Sequence, residues 1–251
     1  MNIKVFPSAA EAARAAAAAL AAQLTRQPAS VLGLPTGRTM VEVYAELARL
    51  HDAGKADFSQ AHTFNLDEFA GLASKDKRSY CAFMQAHLFT RVNLPARHVH
   101  FLNGAARDHE MECRMFEREI AGLGGLDMVA LGIGANGHIG FNEPAPALHA
   151  RTHKTRLALA TRRANVARFG GRLDRVPREA LTMGVGTIFG ARAILLVATG
   201  REKSRAIAAM LNGRLSTARP ASLLQLHANV VVFLDLPAAE KLPQSGLLPQ
   251  P

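Results

Sequence analysis

The stretch DMVALGIGANGHIGFNEP, residues 127–144, decides how the rest of the chain is read. It opens on a nearly continuous apolar run, 127–133, of the length expected for a strand buried on both faces. The run empties into Gly132, Gly134 and Gly137, which let backbone approach a ligand closely. Spelled as G-x-G-x-x-G, the loop invites a dinucleotide site. That fingerprint also needs a helix from its last glycine and an acidic residue about 20 positions on. Pro144 comes too soon for such a helix, and no acidic residue stands between Glu143 and Asp174. The nicotinamide reading fails, and the glycines serve a different ligand.

Outward from this stretch, apolar runs recur at 3–6, 30–34, 62–66, 98–102, 155–159, 193–198 and 229–234. Helix-like segments lie between them at 9–23, 39–51, 79–91, 108–122 and 202–212, while 178–189 is mixed in character. The alternation predicts an α/β fold: an open, mostly parallel twisted sheet with helices on both faces, Rossmann-like. No repeat or Pro/Gly-rich hinge divides the chain, so one domain is expected over 1–237. A flexible, proline-bearing tail is expected over 238–251.

Composition narrows the class further. An apolar fraction of 49% and a charged fraction of 20% exclude disordered and fibrous proteins. No apolar run reaches the roughly 18 residues of a membrane span. The alanine run 9–22 is interrupted by Glu11 and Arg14, and Ser8 with Glu11 reads as a capping box. Cys81 and Cys113 are the two cysteines, without zinc spacing, so a cytoplasmic location fits and no metal is expected. The net charge of +10 invites a nucleic-acid reading, densest over 151–178. Zero tryptophans, two tyrosines and no recognition motif argue against it, and a solvated basic surface is the better account.

In open α/β sheets ligands gather outside the carboxyl ends of the strands, and the polar residues of this chain fall there. Run 30–34 leads into Pro35-Thr36-Gly37-Arg38-Thr39, run 62–66 into Asp67-Glu68, and run 193–198 into Thr199-Gly200-Arg201-Glu202-Lys203. The first loop has three residues between its glycines, not the four of an NTP-binding loop, and Arg38 where lysine belongs. It still offers backbone amides and the Thr36 and Thr39 hydroxyls to an anion. Lys203 at the start of a helix adds a point charge suited to phosphate. Asp67-Glu68, taken alone, reads better as a helix cap. His138 and Glu143, five apart in one loop, can pair as an acid and base. His149 and His153 have HxxxH spacing, but Ala150 replaces the glutamate of a zinc protease, and surface histidines are the better reading.

Five segments together resemble the glucosamine-6-phosphate deaminase family: LGLPTGRT (32–39), FNLDEFAGL (64–72), LGIGANGHIGFNEP (131–144), ALTMGVGTI (180–188) and ILLVATGREKS (194–204). The resemblance implies conversion of glucosamine 6-phosphate and water into fructose 6-phosphate and ammonia, without metal or organic cofactor. It implies Asp67 as the group that moves the C2 proton to C1. His138 is implied to open the pyranose ring, supported by Glu143 and Asn136. Thr36, Gly37, Arg38, Thr39, Lys203 and, by adjacency, Arg168 are implied phosphosugar contacts. Asparagine at 136, where many members carry aspartate, is expected to fix the imidazole tautomer and leave the electrostatic load to Glu143. Arg38 stands in place of a glycine, and either adds a phosphate contact or crowds the loop. Ala145-Pro146-Ala147, His153 and Thr155 replace residues of allosterically regulated members, so no activation by N-acetylglucosamine 6-phosphate is expected. Three alternatives stay open: a galactosamine 6-phosphate deaminase, a non-catalytic sugar-phosphate sensor and, more distantly, a 6-phosphogluconolactonase. Relatives range from monomers to hexamers, which leaves a homo-oligomer open.

Overall fold

The computed structural model describes residues 1–243. Its strands are β1 (Asn2–Phe6), β2 (Val31–Leu34), β3 (His62–Asn65), β4 (Asp67–Phe69) and β5 (Val99–His100), followed by β6 (Met128–Leu131), β7 (His153–Arg156), β8 (Glu179–Thr182), β9 (Ala193–Ala198) and β10 (Val230–Asp235). The longer helices are α1 (Ala9–Arg26), α2 (Arg38–Asp52), α3 (Tyr80–His87) and α4 (His109–Gly122). Then come α5 (Leu159–Ala164), α6 (Val185–Phe189), α7 (Ser204–Asn212) and α8 (Leu236–Ala239).

Seven strands pair in parallel in the order β1-β10-β9-β6-β2-β3-β5. Side chains alternate across them. Ile194, Leu196 and Ala198 face a core shared with α4 and α7, while Leu195 and Val197 face α1 and α2. The sheet is therefore covered on both faces, as the unbroken apolar runs of its strands require. Chain order reverses direction between β2 and β6: β3 and β5 extend the sheet one way, β9 and β10 the other. That is the switch point at which open sheets bind ligands.

Three expectations are overturned, and the mixed segment 178–189 is resolved. The run 62–66 does not end in a loop; after Leu66 the chain enters β4, in a separate three-stranded antiparallel sheet of order β4-β8-β7. The run 155–159 is β7 at His153–Arg156, where half-buried and exposed residues alternate, and it joins this second sheet. The mixed segment 178–189 resolves into β8 and the short helix α6. Finally, the packed body continues past 237, since Ala238, Ala239 and Leu242 are buried in the same core as β10. The rest of the expected tail, 244–251, lies outside the described residues.

The second sheet has its own small core, in which Phe69, Tyr80, Phe141, Leu157 and Phe169 meet. Phe69 packs at 4.8–5.5 Å from the rings of Tyr80, Phe141 and Phe169. This cluster fastens the segment after β7 to α3 and to the loop after β6. At the amino end, Ser8 caps α1 by accepting from the Glu11 amide, so the capping box places the alanine run in a buried helix. Among the described residues no helix is long and apolar enough to cross a membrane.

Candidate active site

Asp67 is the first residue of β4, opposite Thr182 of β8. Its carboxyl is buried, and no donor among the described residues reaches it. Burial, reinforced by the neighbouring Glu68 charge, pushes it up to about 8. Oδ2 lies 3.7 Å from where a β-carbon on Gly140 would stand. Gly140 has φ of 56°, so a side chain there would be strained as well as crowding the acid.

Glu68 does something different. It accepts from the amides of Phe69, Tyr80 and Cys81 at 2.8–3.1 Å, tying β4 to the first turn of α3, which Ser79 also caps. Of the two carboxylates it is Glu68 that joins Ser79 in capping the helix, and Asp67 takes no part.

The loop after β6 carries the second group of residues. His138 Nδ1 lies 3.5 Å from Glu143 Oε2 and 3.5 Å from the Thr161 hydroxyl of α5. Glu143 also accepts from Asn136 Nδ2 at 2.9 Å and from the Ala158 amide at 3.2 Å. Burial works to raise its carboxyl. His138, through hydrogen bond and charge, together with Thr161 and Asn136, outweighs that and holds it at about 2. The expectation for Asn136 is corrected here. Its amide does not touch the imidazole; Oδ1 accepts from the His138 backbone at 3.2 Å while Nδ2 holds Glu143. Gly134 is obligatory for packing, since a β-carbon at that position would collide with the His138 ring.

The two groups share one wall. The Phe141 amide donates to Thr182 Oγ1 at 3.0 Å, and Asn142 Nδ2 bridges the Ile139 and Met183 carbonyls at 2.9 Å. The second sheet thus fixes the loop after β6 against the strand pair that carries Asp67. Local sequence gives no sign of this, because the contacts span about forty residues.

The loop from β2 to α2 contributes Thr36, Gly37, Arg38 and Thr39. Gly37 has φ of 132° and no side chain caps the first turn of α2; the Met40 amide donates to the Gly37 carbonyl, and the Arg38 and Thr39 amides stay available to an anion. Tyr44 is buried and donates to the Pro35 carbonyl, bracing the loop from behind. Thr39 and Thr199 hydroxyls lie 3.5 Å apart, which brings the loop after β9 alongside. Lys203 there is half-buried; burial lowers its ammonium, Glu202 opposes this and Arg38 adds to it. Arg38 itself is exposed and paired with Glu202 at 3.1 Å, so the loop is not crowded. Arg168 stacks over Tyr80 and Phe83 at 5.2 and 5.1 Å and donates to the Ser79 carbonyl. Tyr80 is buried between these parts: Thr36, Asp67, Glu68 and Arg168 all bear on its phenol, which burial drives far upward.

Two residues of the site went unread in the sequence, Tyr80 and Thr161. Tyr80 sits in a helix start of ordinary composition, and Thr161 falls just past what reads as a strand. His149 and His153 stack on each other at 4.3 Å. Among the described residues no group of three or more His, Cys, Asp or Glu is placed to hold a metal ion. A cleft of about 1090 Å³ opens on another part of the surface, between α4 and β7, where Cys113, Glu117, Arg151 and His153 line it.

Over residues 7–233 the chain matches the family described as glucosamine-6-phosphate isomerases/6-phosphogluconolactonase. It is 46% identical over 227 residues to a glucosamine-6-phosphate deaminase of Alkaliphilus oremlandii, covering 90% of this chain and 94% of that one. A glucosamine-6-phosphate deaminase of Clostridium perfringens is 42% identical over 242 residues, covering 96% and 100%. Among solved structures, a monomeric glucosamine-6-phosphate deaminase superposes with a TM-score of 0.92 at 41% identity, covering 96% of this chain and 99% of that one. A 6-phosphogluconolactonase of Thermotoga maritima superposes at 0.74 with 19% identity, covering 93% and 99%, a likeness of fold.

Proposed function

This chain belongs to the family of glucosamine-6-phosphate isomerases and 6-phosphogluconolactonases, and we infer that its reaction is the deaminase's: glucosamine 6-phosphate and water to fructose 6-phosphate and ammonia. The observation that carries the residue roles is the pair of opposed carboxylates at one sheet edge. One is free of donors beside the loop that holds the other against a histidine.

The sugar arrives as a closed ring, and its C2 hydrogen is not acidic until C1 is a carbonyl. His138 moves a proton between the C1 hydroxyl and the ring oxygen. Glu143, ionised and held by Asn136, balances the imidazolium that forms in passing. Asp67 then removes the C2 proton while the C1 carbonyl oxygen takes up a proton and the C2 ammonium gives one up, which leaves an enolamine. Asp67 returns its proton to C1 and converts the enolamine into an imine at C2. Water adds to that imine, and ammonia leaves. In the empty site Asp67 is high because nothing offsets its charge. The substrate's own C2 ammonium supplies that offset, so binding lowers the acid into its working form.

Thr36, Gly37, Thr39 and Lys203 take the phosphate, with α2 directing its free amides at it. Arg168, stacked over Tyr80, adds a further cation for the phosphosugar. The phosphate is a remote handle, and its binding energy orients C1 and C2 against Asp67 and His138.

The test is ammonia released from glucosamine 6-phosphate, measured beside galactosamine 6-phosphate. The glucosamine epimer is expected to turn over, with kcat/KM rising toward pH 8 as free Asp67 ionises. The limb of kcat itself is expected at lower pH, because the bound ammonium has shifted the acid. Binding of the sugar phosphate with no ammonia from either epimer would instead mark a sensor.

A further inference from the structure

Two loops of the phosphate cradle are joined by side chains across their opening. Arg38, the first residue of α2, reaches Glu202 Oε1 at 3.1 Å. Glu202 directly precedes Lys203, and its carboxylate folds back over Gly200, where an added β-carbon would collide with it. Gly200 is in turn pinned by its amide, which donates to both oxygens of Asp235 at 3.0 Å. A carboxylate thus sits beside Arg38 and Lys203, two cations arranged for an anion, and Lys203 feels both the carboxylate and the guanidinium. The pair is loose, with side chains 91% and 52% exposed, and pairs of that kind are easily exchanged.

We propose that Glu202 is a resident counter-anion of the cradle, holding Arg38 across the mouth until a phosphate dianion takes its place. Arg38 then changes partner from carboxylate to phosphoryl oxygens. The idea rests on the reading that loops 35–39 and 199–203 bind phosphate. It adds selectivity to that reading. A ligand must offer two charges and oxygens that match the guanidinium fork to displace the carboxylate. Chloride and unphosphorylated amino sugars offer neither. Glu202 lowers affinity for every anion, and Arg38 restores it for tetrahedral dianions such as phosphate.

Inorganic phosphate is the probe, titrated calorimetrically into the full chain and used to compete with glucosamine 6-phosphate. Glu202→Gln is expected to bind phosphate about threefold more tightly, the scale of an exposed ion pair, and to lower KM while kcat holds. Arg38→Ala is expected to bind about tenfold more weakly, the scale of a lost charged hydrogen bond. The double variant decides the matter. With partner exchange it stays clearly weaker than Glu202→Gln, because Arg38 no longer reaches the phosphate. A double variant as tight as Glu202→Gln would mean that Arg38 never touches the ligand, and the exchange would be overturned while the cradle stands. Phosphate that fails to compete in the unaltered chain would overturn the cradle and the exchange together.

Discussion

Asp67, buried, and Glu143, half-buried, are carboxylates bordering one loop, yet one is driven up to about 8 and the other held at about 2. Burial pushes both in the same direction, so burial cannot explain the difference. Donors do. Glu143 is met first by His138 and then by Thr161 and Asn136, whereas Asp67 meets no donor among the described residues and has the like charge of Glu68 beside it. A protein that needs one carboxylate to accept a proton and another to stay charged separates them in this way. The lesson is that the base is made by what is withheld from it.

The largest effect expected from breaking this contrast follows Asp67→Asn. Loss of the base should lower kcat by about 10²–10⁴-fold. The same change should stabilise the fold. A carboxyl whose native pKa is raised contributes stability that is fully present below its unfolded value and lost as pH rises through about 8. Asparagine cannot ionise, so the variant should match the parent near pH 4. It should gain on the order of a few kcal/mol by pH 8. Thermal melts across that range check this; a variant that is both inactive and less stable at pH 8 would contradict the isolation of Asp67.

Glu143→Gln should do the reverse to stability and less to rate. Its native carboxyl is depressed, so its contribution is present above the unfolded value and lost as pH falls through about 2. Glutamine should therefore cost about 1–3 kcal/mol at pH 7, a difference that closes as the melts approach pH 2. Turnover should fall by about 10²-fold, since the imidazole keeps its place but loses its counter-charge. Melting temperatures that move the same way for both variants would dissolve the comparison.

Much of this architecture is written in local pattern. The runs that became β2, β6, β9 and β10 are apolar throughout because both faces are covered, and that makes them legible. β4 is not legible, because the chain crosses from one sheet to the other through Leu66 alone, with no turn residue to mark the change. β7 reads two residues late because its alternating, half-exposed HKTR lacks an apolar run. Ala238, Ala239 and Leu242 look like tail, since three small or isolated apolar residues among prolines carry no period. The same divide holds in the site. His138 and Glu143 share a loop, and their pairing follows from spacing. The division of Asp67 from Glu68 does not, because it depends on where the amides of α3 arrive. Nor does Asn136 holding Glu143 instead of the imidazole, which depends on how tightly the loop folds back.

Asn136→Asp should have the smallest effect and the most diagnostic one. The substitution keeps an acceptor for the His138 amide but replaces the donor that meets Glu143 at 2.9 Å with a second carboxylate oxygen. Two carboxylates at hydrogen-bond distance do not both stay ionised; they share a proton and titrate as a pair, one step of which rises by about one unit or more. Below the limb that Asp67 sets, kcat should steepen at a higher pH than in the parent. The plateau at high pH, where both groups are ionised and His138 has two counter-charges, should stay within about threefold of the parent, well short of losing a positioned acid or base. The pH profile of kcat reads both quantities at once. A profile that superposes on the parent would mean that Asn136 is not what keeps Glu143 low. The contrast with Asp67 would then have to come from His138 and Thr161 alone, and Thr161→Val would become the variant that moves the limb.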